Sequence, residues 1–278
     1  MIKFTKMHGC GNDYIYVDCM DGISFDPSAL AVKMSDRHKG VGSDGLVCIC
    51  GSDKADAFMR MWNADGSEGK MCGNAIRCVG KYLYDHGICK KENIEIETLS
   101  GIKYLQMDIK DGKAAGATVN MGKIYFDGRS VPAKYEGECI GKEIVIAGGM
   151  HRVTTVSVGS PHCVIFCGDP ASLDLEAIGP KYENDPFFPE RVNTEFVKVT
   201  GEKELYMRVW ERGSGETLAC GTGATAAVSA AVKLGIFPPD TEITVHLIGG
   251  DLYIRYTEEA AFMRGEAVTV FDGEYFGD

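Results

Sequence analysis

Apolar positions in this chain fall into two kinds of segment. Short runs such as FMRMWN at 58–63, IEIETL at 94–99, KYLQMDI at 103–109, EIVIA at 143–147, HCVIF at 162–166, YMRVWE at 206–211, EITVHL at 242–247 and YIRY at 253–256 are set apart by Gly, Asp-Gly or Pro. Runs of that length between turn residues predict strands. Two segments have helical character instead, from about Asn74 to Asp85 and from about Thr222 to Leu234. Asn or Thr is available as an N-cap at their starts, and Gly87 or Gly235 lies just past their ends. The second helix, ATAAVSAAVKLG at 224–235, is apolar or small on nearly every side, which suits a helix enclosed by protein. The pattern predicts a mostly β protein with one enclosed helix per half.

The halves are related by a repeat. Met59, Arg60 and Trp62 recur 148 positions later as Met207, Arg208 and Trp210, and the same offset pairs Glu68 with Glu216, Cys72 with Cys220, Gly73 with Gly221 and Gly87 with Gly235. Upstream it still sets Gly11-Asn12 on Gly159-Ser160, and downstream it slips by one residue, where IEIETLSG at 94–101 faces ITVHLIGG at 243–250. The two tryptophans are the only ones in the chain. Independent strand-to-helix units share periodicity but not rare residues at fixed spacing, so the chain reads as two homologous halves.

Composition narrows the class. With 278 residues, 45% of them apolar, there is ample material for a core. A formal charge of -11 argues against a general electrostatic grip on nucleic acid or an anionic membrane, so an anionic substrate must be held by local groups. No apolar run approaches a bilayer span, and the opening MIKFTKMHGCGNDY lacks a secretory pattern, so the expectation is a cytoplasmic protein. The 11 cysteines contain no CxxC, which points to free thiols rather than a disulfide framework or zinc ribbon. Walker A and HExxH motifs are missing too, and no GxGxxG fingerprint follows a first strand.

The repeat sets Cys72 and Cys220 where a strand and loop feed a helix, near unpaired backbone N–H groups and the positive end of the helix dipole. That setting is expected to favour thiolate, and the same N–H groups suit a substrate carboxylate. Two such thiols facing one cleft from opposite sides have the chemistry of a racemase or epimerase: one base removes a proton from Cα and one acid returns a proton on the other face. The halves differ beside the repeat, where Asn63 stands opposite Glu211 and Ala64 opposite Arg212. Arg212 suits a distal carboxylate and Glu211 a distal ammonium, as a substrate with a second ionic end requires.

Taken singly, many of these residues have ordinary uses. Cys10, Cys19, Cys48, Cys50, Cys78, Cys89, Cys139, Cys163 and Cys167 read as buried apolar residues, although Cys163 beside His162 also allows a Cys/His nucleophile pair. His8 and His162 fit hydrogen-bonded structural roles, Asn12, Asn63 and Asn193 fit turn caps, and Glu211 with Arg212 fits a surface ion pair.

The segments MHGCGNDY at 7–14, NADGSEGKMCGN at 63–74, GSPHC at 159–163, PERVN at 189–193 and ERGSGETLACGTGA at 211–224 together resemble the diaminopimelate epimerase family over nearly the full chain. The resemblance implies a cofactor-independent isomerase of lysine and peptidoglycan-precursor synthesis that interconverts LL- and meso-diaminopimelate. It implies an α/β (α+β) fold of two pseudosymmetric domains, each a mostly antiparallel β-barrel wrapped round a central helix. The last strand would return to the first domain, so that residues 1–117 with 266–278 form one domain and 118–265 the other. Cys72 and Cys220 would be the acid/base pair, with Gly73, Asn74, Gly221 and Thr222 holding the α-carboxylate. Asn12, Asn63, Asn193, Glu211 and Arg212 would read the rest of the substrate, and His162 would assist proton handling. The partner implied is the small-molecule substrate, with no nucleic acid, membrane, metal or cofactor, in a homodimer. Two departures stand out: Ser160 replaces the common Asn of GNPHC, and Gly45 in GVGSDGLV stands where some members carry glutamine. Two other readings remain open, a two-thiol racemase for another amino acid such as proline, hydroxyproline or histidine, and a binding protein or thiol redox sensor.

Overall fold

The computed structural model describes residues 1–277. They divide into two compact units, Met1–Val119 with the segment that starts at Arg264, and Asn120–Met263. Asp278, the end of the segment expected to return to the first domain, lies outside the described residues.

The first unit begins with β1 (Ile2–Gly9), β2 (Asn12–Cys19), α1 (Pro27–Ser35), β3 (Gly45–Cys50), β4 (Ala57–Asn63) and the short β5 (Glu68–Gly69). It continues through α2 (Gly73–Asp85), β6 (Asn93–Glu97), β7 (Lys103–Lys110) and β8 (Lys113–Gly122). Pairing is antiparallel for β1 with β2, β3 with β4, β6 with β7 and β7 with β8, and parallel for β2 with β3 and β4 with β6. The two-residue turn between β1 and β2 has both central residues left-handed, Cys10 at φ 53° and Gly11 at φ 77°, as a tight hairpin requires.

The second unit repeats this plan with β9 (Lys142–Ile146), β10 (Gly149–Ser157), β11 (Pro161–Phe166), α3 (Leu175–Glu183), β12 (Asn193–Gly201), β13 (Glu204–Glu211) and β14 (Gly215–Glu216). It goes on through α4 (Gly221–Lys233), β15 (Glu242–Leu247) and β16 (Gly250–Tyr256), and β17 (Ala261–Glu266) runs across the boundary after Met263. β11 pairs parallel with β12 and β13 parallel with β15, the counterparts of the two parallel pairs in the first unit. The outer strand beside β10 is β9, which precedes it, whereas β1 is flanked by the C-terminal β18 (Val268–Tyr275). The register keeps the sequence offset: Tyr14 faces Gly45, and His162 faces Asn193. The hairpin ahead of it does not, because the turn between Ser157 and Pro161 is one residue longer than that between Gly9 and Asn12.

Each unit has a second helix that the hydrophobic pattern does not predict. α1 and α3 are nine residues each, capped by Asp26 and Asp174 at the same offset, and each buries only four residues. A helix that short with so narrow an apolar face gives little periodic signal, although Asp before a helical Pro27 is a start signal in its own right. α3 lies so close to Trp210 that a Cβ on Gly179 would stand 2.2 Å from the indole ring. Trp62 and Trp210 each sit in the apolar core of their own unit, with Leu30, Ala31 and Met34 around the first and Leu175, Tyr182 and Phe196 around the second.

The enclosed helices are α2 and α4, buried from Gly73 to Leu83 and over most of Gly221 to Ala231. Both begin earlier than the sequence suggests. Their N-caps are Cys72 and Cys220 rather than Asn74 and Thr222, which lie inside the first turn. Cysteine is a weak hydrogen-bonding residue and is not read as a cap from sequence. Gly87 and Gly235 end the helices in the left-handed conformation, as expected. Among the described residues no helix is long and apolar enough to cross a membrane.

Candidate active site

The first unit carries one candidate cysteine cluster. β4 and β5 form a tight antiparallel arm that delivers the chain to α2, and at the joint Cys72 is extended and partly exposed. Its thiol donates to the Asn12 side-chain oxygen at 3.3 Å. Asn12 sits at the start of β2, and its amide is oriented from behind, since Nδ2 donates to Asp44 Oδ2 at 2.8 Å. Asp44 Oδ2 also accepts from the Asp13 N–H, and Asp44 Oδ1 accepts from Arg37 Nη2 at 3.0 Å. Beyond it Lys6 lies 2.5 Å from Asp13 and donates to the Gly42 carbonyl. Burial pushes the Asp44 carboxyl up, and the Asp13 charge adds to the rise. Asp13 is held below its usual range, the Arg37 and Lys6 hydrogen bonds outweighing its own burial. Asn63, named from its motif, is exposed and tied to its own turn through Ser67 Oγ at 3.0 Å.

The second unit carries the other. Cys220 is 5% exposed and caps α4 through its sulfur, which accepts from the Gly223 N–H at 3.4 Å and lies 3.4 Å from the Thr222 hydroxyl. Glu211, at the end of β13, accepts a very short hydrogen bond from the Thr217 hydroxyl. On the neighbouring strands His162 is wholly buried, with Nδ1 2.6 Å from Glu195 Oε1 and Nε2 2.9 Å from Ser160 Oγ. Asn193 and Arg212 meet each other rather than an open surface. Asn193 Oδ1 accepts from the Arg212 N–H at 2.9 Å, its Nδ2 donates to the Pro161 carbonyl at 2.8 Å, and Arg212 Nη1 donates to the Glu190 carbonyl at 2.9 Å. The Glu211–Arg212 turn is anchored by Glu183, which accepts from Gly213 N–H, Arg191 and the Trp210 indole. Glu211 and Arg212 thus have separate partners and do not form the surface ion pair that remained open from sequence.

The electrostatics of Cys220 correct one expectation. Burial pushes its thiol well above the usual range, and the carboxylates of Glu211 and Glu195 push the same way. The Thr222 hydroxyl and the Gly223 N–H oppose this and do not overcome it. A helix N-terminus alone favours thiolate, but here desolvation and two acidic neighbours prevail. Glu211 is itself raised, chiefly by desolvation, with the Thr217 and Cys220 hydrogen bonds drawing it down.

Asp44, Glu195, Thr217 and Glu183 are the site residues that sequence reasoning missed. Asp44 stands next to Gly45 in a motif read only for its glycine. Glu195 was accessible: strand alternation puts Asn193 and Glu195 on one face of β12, and β11 sets His162 opposite Asn193. Cys163, by contrast, is fully buried with a thiol pushed well above its ordinary range by desolvation first, which suits the structural reading of that residue. Among the described residues no group of three or more His, Cys, Asp or Glu side chains could hold a metal ion.

A family profile described as diaminopimelate epimerase matches residues 4–126 and 154–270. The chain belongs to the diaminopimelate epimerase family. Its relatives include a diaminopimelate epimerase of Acetivibrio thermocellus, 51% identical over 276 residues and covering 98% of both chains. Another, from Desulfovibrio desulfuricans, is 48% identical over 99% of this chain and 98% of its own. Solved structures with this fold include a Bacillus anthracis phenazine biosynthesis protein of the PhzF family, with TM-score 0.69, 17% identity and 99% of each chain covered. A hydroxyproline epimerase from Agrobacterium vitis has TM-score 0.68 and 14% identity over 98% of this chain and 91% of its own. The diaminopimelate epimerase family is thus met by sequence over nearly the whole chain, and its fold is shared with racemases and epimerases of remote sequence.

Proposed function

We propose that this protein interconverts LL- and meso-2,6-diaminopimelate by two-base proton transfer at Cα, without a cofactor. The observation that carries the reading is the duplicated strand, arm and Cys-Gly helix start, found in a chain of this family. One cysteine, as thiolate, takes the Cα proton, and the electron pair left behind is spread into the α-carboxylate. The other, as thiol, delivers its proton to the opposite face, so the two cysteines exchange protonation states in each turnover. The helix-start N–H groups at Gly73-Asn74 and Gly221-Thr222 stabilise the charge that develops on the carboxylate. Asn12, Asn63, Ser160, His162, Asn193, Glu211 and Arg212 complete substrate recognition, Arg212 and Glu211 serving the distal amino-acid end. On the same reading the enzyme is a cytoplasmic homodimer of two-domain subunits, which light scattering checks for its oligomeric part.

The test is solvent deuterium incorporation into LL-diaminopimelate with meso product, using reduced protein and no additive. Proline, hydroxyproline and histidine are run beside it. Exchange confined to one of those would replace the substrate, and no exchange with any of them, in folded reduced protein, would leave the binding or redox-sensor reading ahead.

A further inference from the structure

Three side chains of the second unit form a hydrogen-bonded line, Glu195 Oε1 to His162 Nδ1 at 2.6 Å and His162 Nε2 to Ser160 Oγ at 2.9 Å. Glu195 and His162 are wholly buried, while Ser160 is partly exposed. A neutral imidazole has one N–H and one bare nitrogen, and its partners decide which is which. An ionised carboxylate only accepts, so it calls for the proton on Nδ1. Nε2 is then left to accept from the Ser160 hydroxyl, and the serine oxygen, its proton committed, offers only lone pairs to anything else.

The surroundings make room for this line. A Cβ on Gly223, in the first turn of α4, would stand 2.8 Å from Glu195 Oε1. The other carboxylate oxygen, Oε2, is buried with no hydrogen-bond partner among the described residues, a costly placement that a merely structural residue would avoid. In the first unit the offset puts Val47 in the place of Glu195 and Tyr14 in that of His162, on strands of the same register, so the fold itself does not need the pair. An asparagine at position 160 would bring its own fixed acceptor, whereas a serine hydroxyl is donor or acceptor until something takes its proton.

We propose that Glu195 is a positioning residue: it holds His162 in the Nδ1–H tautomer and, through it, makes Ser160 Oγ a dedicated acceptor for an ammonium group of the substrate. The proposal rests on the diaminopimelate reading for its substrate, but its tautomer does not. Nitrogen-15 NMR of the imidazole, steady-state kinetics with LL-diaminopimelate and thermal melts of E195V, E195Q, S160A and E195V/S160A test it. The free wild type is expected to show a protonated Nδ1 and a bare Nε2. E195Q, whose amide oxygen accepts the same bond, keeps that signature and a KM within about threefold of wild type, whereas E195V mixes the tautomers and raises KM about tenfold with kcat less affected. S160A raises KM by a similar factor, and the double variant is no worse than either single one, because both break the same line. A wild-type imidazole protonated on Nε2, or E195V and S160A effects that multiply, would overturn it. Should E195V fail to fold, the wild-type signature together with an unchanged KM in S160A would do the same. Failure of the wild type to turn over diaminopimelate would remove that substrate, and the tautomer would then decide the role of Glu195.

Discussion

The two cysteine clusters share a backbone and differ in what stands behind the sulfur. In the first, Cys72 meets the oxygen of an amide that Asp44 holds from β3's threshold, with Arg37 and Lys6 neutralising the acid cluster behind it. In the second, Cys220 receives hydrogen bonds from a helix N–H and faces two carboxylates, with His162 between Glu195 and Ser160. Duplication has preserved the bounds of the enclosed helix and the register of β2–β3–β4 in β11–β12–β13, while the polar support was rebuilt with different chemistry. Duplicated cysteine positions therefore do not require duplicated surroundings.

The comparison breaks first at the cysteines. Replacing Cys72 or Cys220 by Ser is expected to lower net epimerisation by about 10²–10⁴-fold in each case, measured by the appearance of meso product. Near-normal turnover in either variant would show that only one half does chemistry.

A structural asymmetry follows in size. Arg77 is fully buried in α2 and donates to the Gly73 carbonyl at 3.0 Å and the Glu266 carbonyl at 3.1 Å. Its counterpart Thr225 donates to the equivalent Gly221 carbonyl at 2.9 Å from a much smaller side chain. Arg77→Ala leaves both carbonyls without this donor and opens a cavity, so it should cost about 3–5 kcal/mol, against about 1 kcal/mol for Thr225→Ala. Urea denaturation midpoints decide, and equal losses would deny that the first helix start depends on the arginine.

The acids of the second cluster give a pH signature. Because the Glu211 carboxyl is raised in the folded protein, the native state keeps a proton that the unfolded chain releases above its ordinary 4.5. That contribution to stability is complete below 4.5 and is lost as pH rises through the folded value. Glu211→Gln removes the loss, so the variant should gain on wild type as pH rises above 4.5. Its Cys220 should also react with iodoacetamide about tenfold faster at pH 8, as one of the two charges opposing thiolate is gone. A flat difference in stability and unchanged alkylation would separate Glu211 from the thiol.

The smallest contrast lies in the duplicated arm. Arg208 binds Glu216 through two nitrogens and also reaches the Pro170 and Leu173 carbonyls, while Arg60 meets Glu68 with both side chains about one-third exposed. Arg208→Ala should cost about 2 kcal/mol and Arg60→Ala under about 1 kcal/mol by thermal melts, and the reverse order would mean that the carbonyl contacts add nothing.

What was legible in the sequence was whatever rare residues mark. The tryptophans, the Cys-Gly pairs and the glycines past each helix mark the repeat, and with it the enclosed helix of each unit and the joint at each cysteine. Three features stayed hidden for physical reasons. α1 and α3 bury too few side chains to impose a period. Cys72 and Cys220 occupy N-cap positions, Cys220 alone capping through its sulfur, and cysteine there is not a start signal, so both helices begin a residue before the polar candidates. Arg77 has no counterpart cation in α4, and only packing shows that it is interior. Glu195 escapes the sequence because strand alternation sets it beside His162 only once β11 is known to pair with β12, and the grip of Asp44 on Asn12 depends on a loop conformation that no spacing announces.

Each unit holds a single indole in its own interior, Trp62 beneath the Arg60 guanidinium and Trp210 with its N–H held by Glu183. The fluorescence of this protein is therefore a two-channel signal, one lamp per lobe. Changing either tryptophan to phenylalanine would leave a reporter confined to one lobe, so that melting or ligand response of each could be followed without attaching a dye.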